Sequence, residues 1–198
     1  MRRVTTPSKA TMIDKFKDIY RSETARLKNW DYSSEGYYFV TICEKNRNLV
    51  FGDIQGDTVS LTQLGRSAME CWTAIPEHFP FVELGTFCIM PNHIHGIIVI
   101  NSDRSVETQN FASLQCNKPG NKFGPQSNNL ASIIRGFKIG VTKFAHQNDI
   151  DFAWQPRYYD RIIRDEQELF AVRTYIRNNP TEWGSDEYAT DTVNSGVL

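Results

Sequence analysis

The sequence has no run of apolar residues long enough to cross a bilayer. Its longest uninterrupted aliphatic stretch is Ile97 to Ile100, where about 20 residues are needed. No apolar segment follows Met1-Arg2-Arg3, so no export leader is read there and a cytoplasmic protein is expected. Cysteine is sparse: Cys43, Cys71, Cys88 and Cys116 show no Cys-x-x-Cys spacing, which argues against a zinc knuckle and against a disulfide framework. A Walker-type Gly-x-x-x-x-Gly-Lys is also absent, so no nucleotide cofactor is expected. Excess charge is lacking too. The formal net charge is −1, too little for an indiscriminate polyanion binder.

What is present is enough apolar material for one core. The 198 residues are 40% hydrophobic and include 12 Phe, 8 Tyr and 4 Trp, a normal single-domain content. The charge is unevenly spread. Residues 1–30 hold 8 Lys/Arg against 3 Asp/Glu, residues 129–164 hold 6 against 3, and residues 165–198 hold 2 against 7. Basic segments of this kind suit a phosphate backbone, although solvated helix faces look the same by charge alone. The chain divides into a basic arm (1–30), a domain (31–184) interrupted by a Ser/Asn/Gly/Pro-rich insertion (101–129), and a tail (185–198). The insertion has few large apolar residues and is expected to be mobile.

Periodicity predicts a strand over Tyr37 to Cys43, a short hairpin about Gln55-Gly56-Asp57, and a helix from Gln63 to Ile75 capped by Thr62 and stopped by Pro76 and Pro80. A strand over Phe81 to Met90, the turn Pro91-Asn92 and a second apolar strand follow. A basic amphipathic helix over Leu130 to His146 comes next, then a strand over Trp154 to Arg164. The last element is a helix from Glu166 to about Asn178, capped by Asp165 and ended by Asn179-Pro180. This order contains β-α-β-β-α-β, the pattern of a ferredoxin-like α/β sandwich with an antiparallel sheet. The final helix is left free to cross one face.

The chemistry-bearing feature is His93-Ile94-His95 at the head of the second apolar strand. Alternation along a strand puts both imidazoles on one face and Ile94 on the other. Two rings so placed can hold one cation; they can equally be a packed, hydrogen-bonded pair. Tyr175 and Asn179 are four residues apart and share one face of the last helix.

Three stretches together resemble the single-tyrosine HUH transposases, in the branch associated with repetitive extragenic palindromes (REP). They are Arg26-Leu-Lys-Asn-Trp-Asp-Tyr32 leading into Tyr38-Phe-Val-Thr-Ile42; Met90-Pro-Asn-His-Ile-His95; and Trp154-Gln with Tyr158-Tyr-Asp-Arg-Ile-Ile-Arg164 and Tyr175-Ile-Arg-Asn-Asn-Pro180. The resemblance implies a ferredoxin-like fold, Tyr175 as nucleophile, and His93, His95 and Asn179 as ligands of Mg2+ or Mn2+. It also implies cleavage and rejoining of single-stranded or hairpin DNA through a 5′-phosphotyrosine. DNA contacts are expected from Arg21, Arg26, Lys28, Arg135, Lys138, Arg157, Arg161 and Arg164. The protein is expected to act as a monomer or homodimer and to associate with the nucleoid through DNA. A non-catalytic nucleic-acid-binding module and a hydrolytic metallonuclease are the alternatives.

Overall fold

Strand β1, Gly36–Cys43, forms where aromatic and β-branched residues crowd together, and the sheet is built around it. The computed structural model describes residues 30–101, 128–186 and 188–189. The arm up to residue 29 and nearly all of the insertion expected at 101–129 lie outside the described residues, so the mobility expected of that insertion does too.

After β1 come the hairpin strands β2 (Gly52–Gln55) and β3 (Thr58–Leu61), which form a separate two-stranded sheet. Gly56 turns between them with φ 65, a conformation glycine takes without penalty. Helix α1 spans Gln63–Thr73 and opens on Thr62, whose hydroxyl accepts from the Gly65 amide at 3.0 Å. A short helix α2, Ile75–His78, precedes β4 (Val82–Ile89) and β5 (His93–Ile100). Helix α3, Leu130–Gln147, starts from a reciprocal cap between Asn129 and Ser132. Strand β6 (Tyr159–Ile163) and helix α4 (Glu166–Asn178) complete the core, α4 being capped by Asp165 at 2.8 Å from the Glu168 amide.

The main sheet runs β4-β5-β1-β6 with every neighbouring pair antiparallel. With α1 and α3 this is the expected ferredoxin-like β-α-β-β-α-β core. Alternation sorts the side chains. Tyr38, Val40 and Ile42 of β1 and Ile94 and Ile98 of β5 join Leu64, Ala68 and Trp72 of α1 and Ile133, Phe137 and Val141 of α3 in one buried cluster. Gly96 gives the indole its room: a Cβ there would come within 2.2 Å of Trp72.

Phe39, Thr41, His93, His95 and Ile97 project to the opposite face and are buried as well. Helix α4 packs on the sheet along β4, with Val172 and Ile176 buried. The histidines are thus on an inner strand, beneath the helix that carries Tyr175.

Two boundaries differ from the sequence expectation. Pro76 does not stop α1, which ends at Thr73; it sits in the first turn of α2, where a missing amide hydrogen costs nothing. The strand expected from Trp154 pairs only from Tyr159. Trp154 makes an isolated bridge to Glu44, and Pro156 together with Arg157 at φ 68 breaks the ladder between them.

Candidate active site

β5 begins at His93, directly after the Pro91-Asn92 turn, and pairs with β1 so that His93 faces Cys43 and His95 faces Thr41. The two imidazoles point at each other with 2.9 Å between their Nε2 atoms, and they are 0% and 1% exposed. Their outer nitrogens are fixed. Asn92 Nδ2 donates to the carbonyls of Tyr188 (2.7 Å) and Arg47 (3.2 Å), which leaves Asn92 Oδ1 to accept from His93 Nδ1–H at 2.8 Å. The lone pair of His93 therefore sits on Nε2. Thr41 Oγ1 lies 2.9 Å from His95 Nδ1 and can do the same for that ring.

Burial drives both rings to the neutral form. It pushes the pKa of His95 down to about 3. His93 is held well below its ordinary value by burial first, then by His95 and by the Arg47 charge. Neutral, oriented imidazoles are the form in which histidine ligates metals.

Helix α4 brings Tyr175 to the pair. Its hydroxyl is 3.2 Å from His95 Nε2, and its ring stands edge-on to Phe39 at 6.1 Å. Asn179 follows one turn later. It is 2% exposed, and its Oδ1 is buried with no hydrogen-bond partner. An amide oxygen left without a donor is costly unless something positive meets it.

A carboxylate completes the cluster. Ligand atoms of His93, His95 and Asp186 all lie within 4.8 Å of one another. This nitrogen and oxygen set fits a divalent cation. Around it, Trp183 stacks on His93 at 6.0 Å and Tyr188 lies 4.6 Å from the same ring. Asp186 and Tyr188 belong to the stretch assigned by sequence to the tail. No local pattern marks them, because they reach the histidines only after the chain turns back past Pro180. Asn92 and Thr41 were in view as a turn residue and a strand residue; their roles depend on register.

The proposed DNA contacts are scattered. Arg21, Arg26 and Lys28 lie outside the described residues. Arg135 and Lys138 line a groove of about 770 Å³ on α3, with Lys143 and Tyr158. Lys138 is already engaged: its ammonium donates to the carbonyls of Gln155 (2.9 Å) and Arg157 (2.5 Å), and burial pulls its pKa down to about 8. Arg161 faces Phe39 across β1 and β6, on the histidine side, and is paired with Glu168. Arg157 and Arg164 are exposed at either end of β6.

No protein-family model matches the chain. A protein of Haemophilus influenzae that carries no functional description is 40% identical over 174 residues, covering 87% of this chain and 96% of its own length. A second protein of that organism, named "Putative REP-associated tyrosine transposase", is 26% identical over 161 residues, covering 81% and 79%. Among solved structures, a REP-associated tyrosine transposase bound to a REP hairpin aligns with a TM-score of 0.54 at 18% identity, over 84% of this chain and 76% of that one. That likeness is one of fold. No helix among the described residues is long and apolar enough to cross a membrane.

Proposed function

We propose that the chain is a REP-associated tyrosine transposase of the single-tyrosine HUH class, the reading supported by the name of its 26% identical relative, and that it cuts and rejoins single-stranded DNA at hairpin or palindromic repeats. The observation that carries this reading is the approach of the Tyr175 hydroxyl to within 3.2 Å of His95 Nε2. The Tyr175 phenol beside two neutral, buried imidazoles suits covalent phosphoryl transfer.

His93, His95 and Asn179, with Asp186 beside them, are the residues that would hold Mg2+ or Mn2+, whose charge would polarise a non-bridging phosphate oxygen. Tyr175 Oη attacks phosphorus in line, the P–O3′ bond breaks, and a 5′-phosphotyrosine and a free 3′-hydroxyl result. The phenol loses its proton to solvent as the departing oxygen gains one. Attack of a 3′-hydroxyl on the phosphotyrosine reverses the step, so no ATP is needed.

Phe39 and His95 stack at 5.4 Å, and Phe39 also meets the Tyr175 ring edge-on, which keeps the phenol aimed at the pair. Arg135, Lys138, Arg157, Arg161 and Arg164, with Arg21, Arg26 and Lys28 of the arm, supply positive charge for the DNA backbone. The hairpin held by the solved relative supports a hairpin as partner. The test is capture of 3′-labelled single-stranded DNA. An adduct that survives SDS supports the transposase, whereas release of a free 5′-phosphate end means hydrolysis.

A further inference from the structure

Glu168 is the third residue of α4, the place from which a glutamate ordinarily folds back onto the amide of the cap residue. Here the first turn is already served. Asp165 accepts from the Glu168 amide on its side chain at 2.8 Å and from the Leu169 amide on its carbonyl at 3.0 Å. The Glu168 carboxylate reaches past the cap instead. One oxygen accepts from the amide of Arg164, the residue before the cap, at 2.9 Å, and the other pairs with the guanidinium of Arg161 within β6. The side chain is only 15% exposed, so the pair is better shielded from water than a surface ion pair.

This residue begins a stripe that leads to the nucleophile. Glu168, Val172, Tyr175 and Asn179 follow one another by four, three and four positions, which sets them in one row on the helix. Burial of Val172 and Ile176 holds the helix down, but apolar contact has no direction and leaves a helix free to roll slightly about its axis. The phenol oxygen lies up to roughly 8 Å off that axis, so a roll of about 10° carries it more than about 1 Å. A charge-assisted contact made at two points is directional and resists the roll. Arg161 stands opposite Phe39 in the register of β1 and β6, and Phe39 meets the Tyr175 ring edge-on at 6.1 Å while it stacks on His95 at 5.4 Å. The strand position that holds Glu168 is thus beside the ring against which the phenol rests, two helical turns further on.

We propose that Glu168 is a positioning residue for Tyr175: its two anchors on the β6 side fix the rotation of α4, and with it the line from the phenol oxygen to the scissile phosphorus. This rests on the strand-cleavage reading above. A misplacement of about 1 Å can slow a reaction about a hundredfold. The anchor therefore acts on the rate of bond formation and not on DNA affinity.

The test compares the full-length wild-type chain with Glu168→Gln, Glu168→Asp, Arg161→Gln and the double variant of Arg161→Gln with Glu168→Gln. Covalent capture of a 3′-labelled single-stranded pool, with a fixed hairpin stem and randomised flanks, is timed on denaturing gels at saturating Mn2+ over a range of DNA concentrations. The temperature is kept well below every melting point. Glutamine keeps the size of the side chain and loses its charge; aspartate keeps the charge and draws the carboxylate back by one methylene. Both variants at position 168 should form adduct about ten- to a hundredfold more slowly at saturating DNA, with the half-saturating concentration unchanged or lower. A residue that merely steadied the fold would leave that limiting rate untouched while the chain stays folded. The slowing caused by Glu168→Gln should shrink to less than about threefold once Arg161 is glutamine. Aspartate retains the negative charge favoured at a helix N-terminus, so Glu168→Asp reads the assignment even if glutamine perturbs the fold. A limiting rate like that of an active wild type in both variants, a change confined to the half-saturating concentration, or equal slowing in both Arg161 backgrounds would overturn the assignment and leave the cleavage reading standing. A wild-type chain that forms no adduct overturns both.

Discussion

The hydroxyl of Tyr175 and Nε2 of His95 are 3.2 Å apart, although 80 residues separate them in sequence. The same nitrogen is 2.9 Å from Nε2 of His93. One point on β5 is therefore where helix and strand meet. The helix is held there by Val172 and Ile176, buried on the sheet, and at its start by Glu168, which pairs with Arg161 and accepts from the Arg164 amide at 2.9 Å.

Asn179→Ala separates stability from ligation. The side chain brings a buried oxygen with no partner, and removing an unsatisfied acceptor relieves a desolvation cost of about 1–3 kcal/mol, offset by the small void left behind. The variant should melt within a few degrees of wild type and bind Mn2+ more weakly by calorimetry. Unchanged Mn2+ affinity would remove Asn179 from the ligand set.

The buried imidazoles give stability a definite pH dependence. His95 titrates near 3 in the folded chain against 6.5 when free, and His93 is lowered too. Both shifts favour the neutral form, so their contribution is complete above pH 6.5. It is lost as the pH falls from 6.5 towards 3, because only the unfolded chain takes up the protons. Each histidine can steepen the loss by roughly 1 kcal/mol per pH unit. Melting curves of His95→Gln should show a flatter decline between these limits than wild type. Parallel declines would mean the rings are not buried as neutral groups.

Gly96→Ala should damage fold and site together. The new methyl, one residue along the strand from His95, would sit 2.2 Å from Trp72 Cζ2, an atom of a fully buried indole. Displacing that ring should cost about 3 kcal/mol or more. Adding Trp72→Phe should recover part of the loss in a denaturant melt. If Gly96→Ala alone is neutral, the indole is more mobile than its packing indicates.

How far the sequence revealed this arrangement depended on whether the signal was local. Thr62 and Asp165 each cap the helix that follows, and their side chains meet the third amide of it, a contact set entirely by neighbouring residues. The shared face of His93 and His95 needed only the two-residue period of a strand. Thr41 was beyond reach, because its contact with His95 exists only in the register that sets β1 against β5. Asp186 and Tyr188 were harder still, since the 3-10 turn Trp183–Ser185 brings them back to the histidines with no periodic pattern to announce it. Lys138 was legible as a charge but not as one already held by two carbonyls.

Cleavage through Tyr175 is tested most directly by locating the covalent bond. Wild type and Tyr175→Phe should be incubated with Mn2+ and the 3′-labelled hairpin pool, digested, and the DNA-linked peptide sequenced by mass spectrometry. The variant keeps the ring against Phe39 and loses only the oxygen near His95, so it should fold, bind Mn2+ and bind DNA as wild type does. Wild type should yield a single phosphotyrosine peptide containing Tyr175, and the variant none. An adduct in the variant, or a wild-type adduct mapped to Tyr158, Tyr159 or Tyr188, would contradict the assignment.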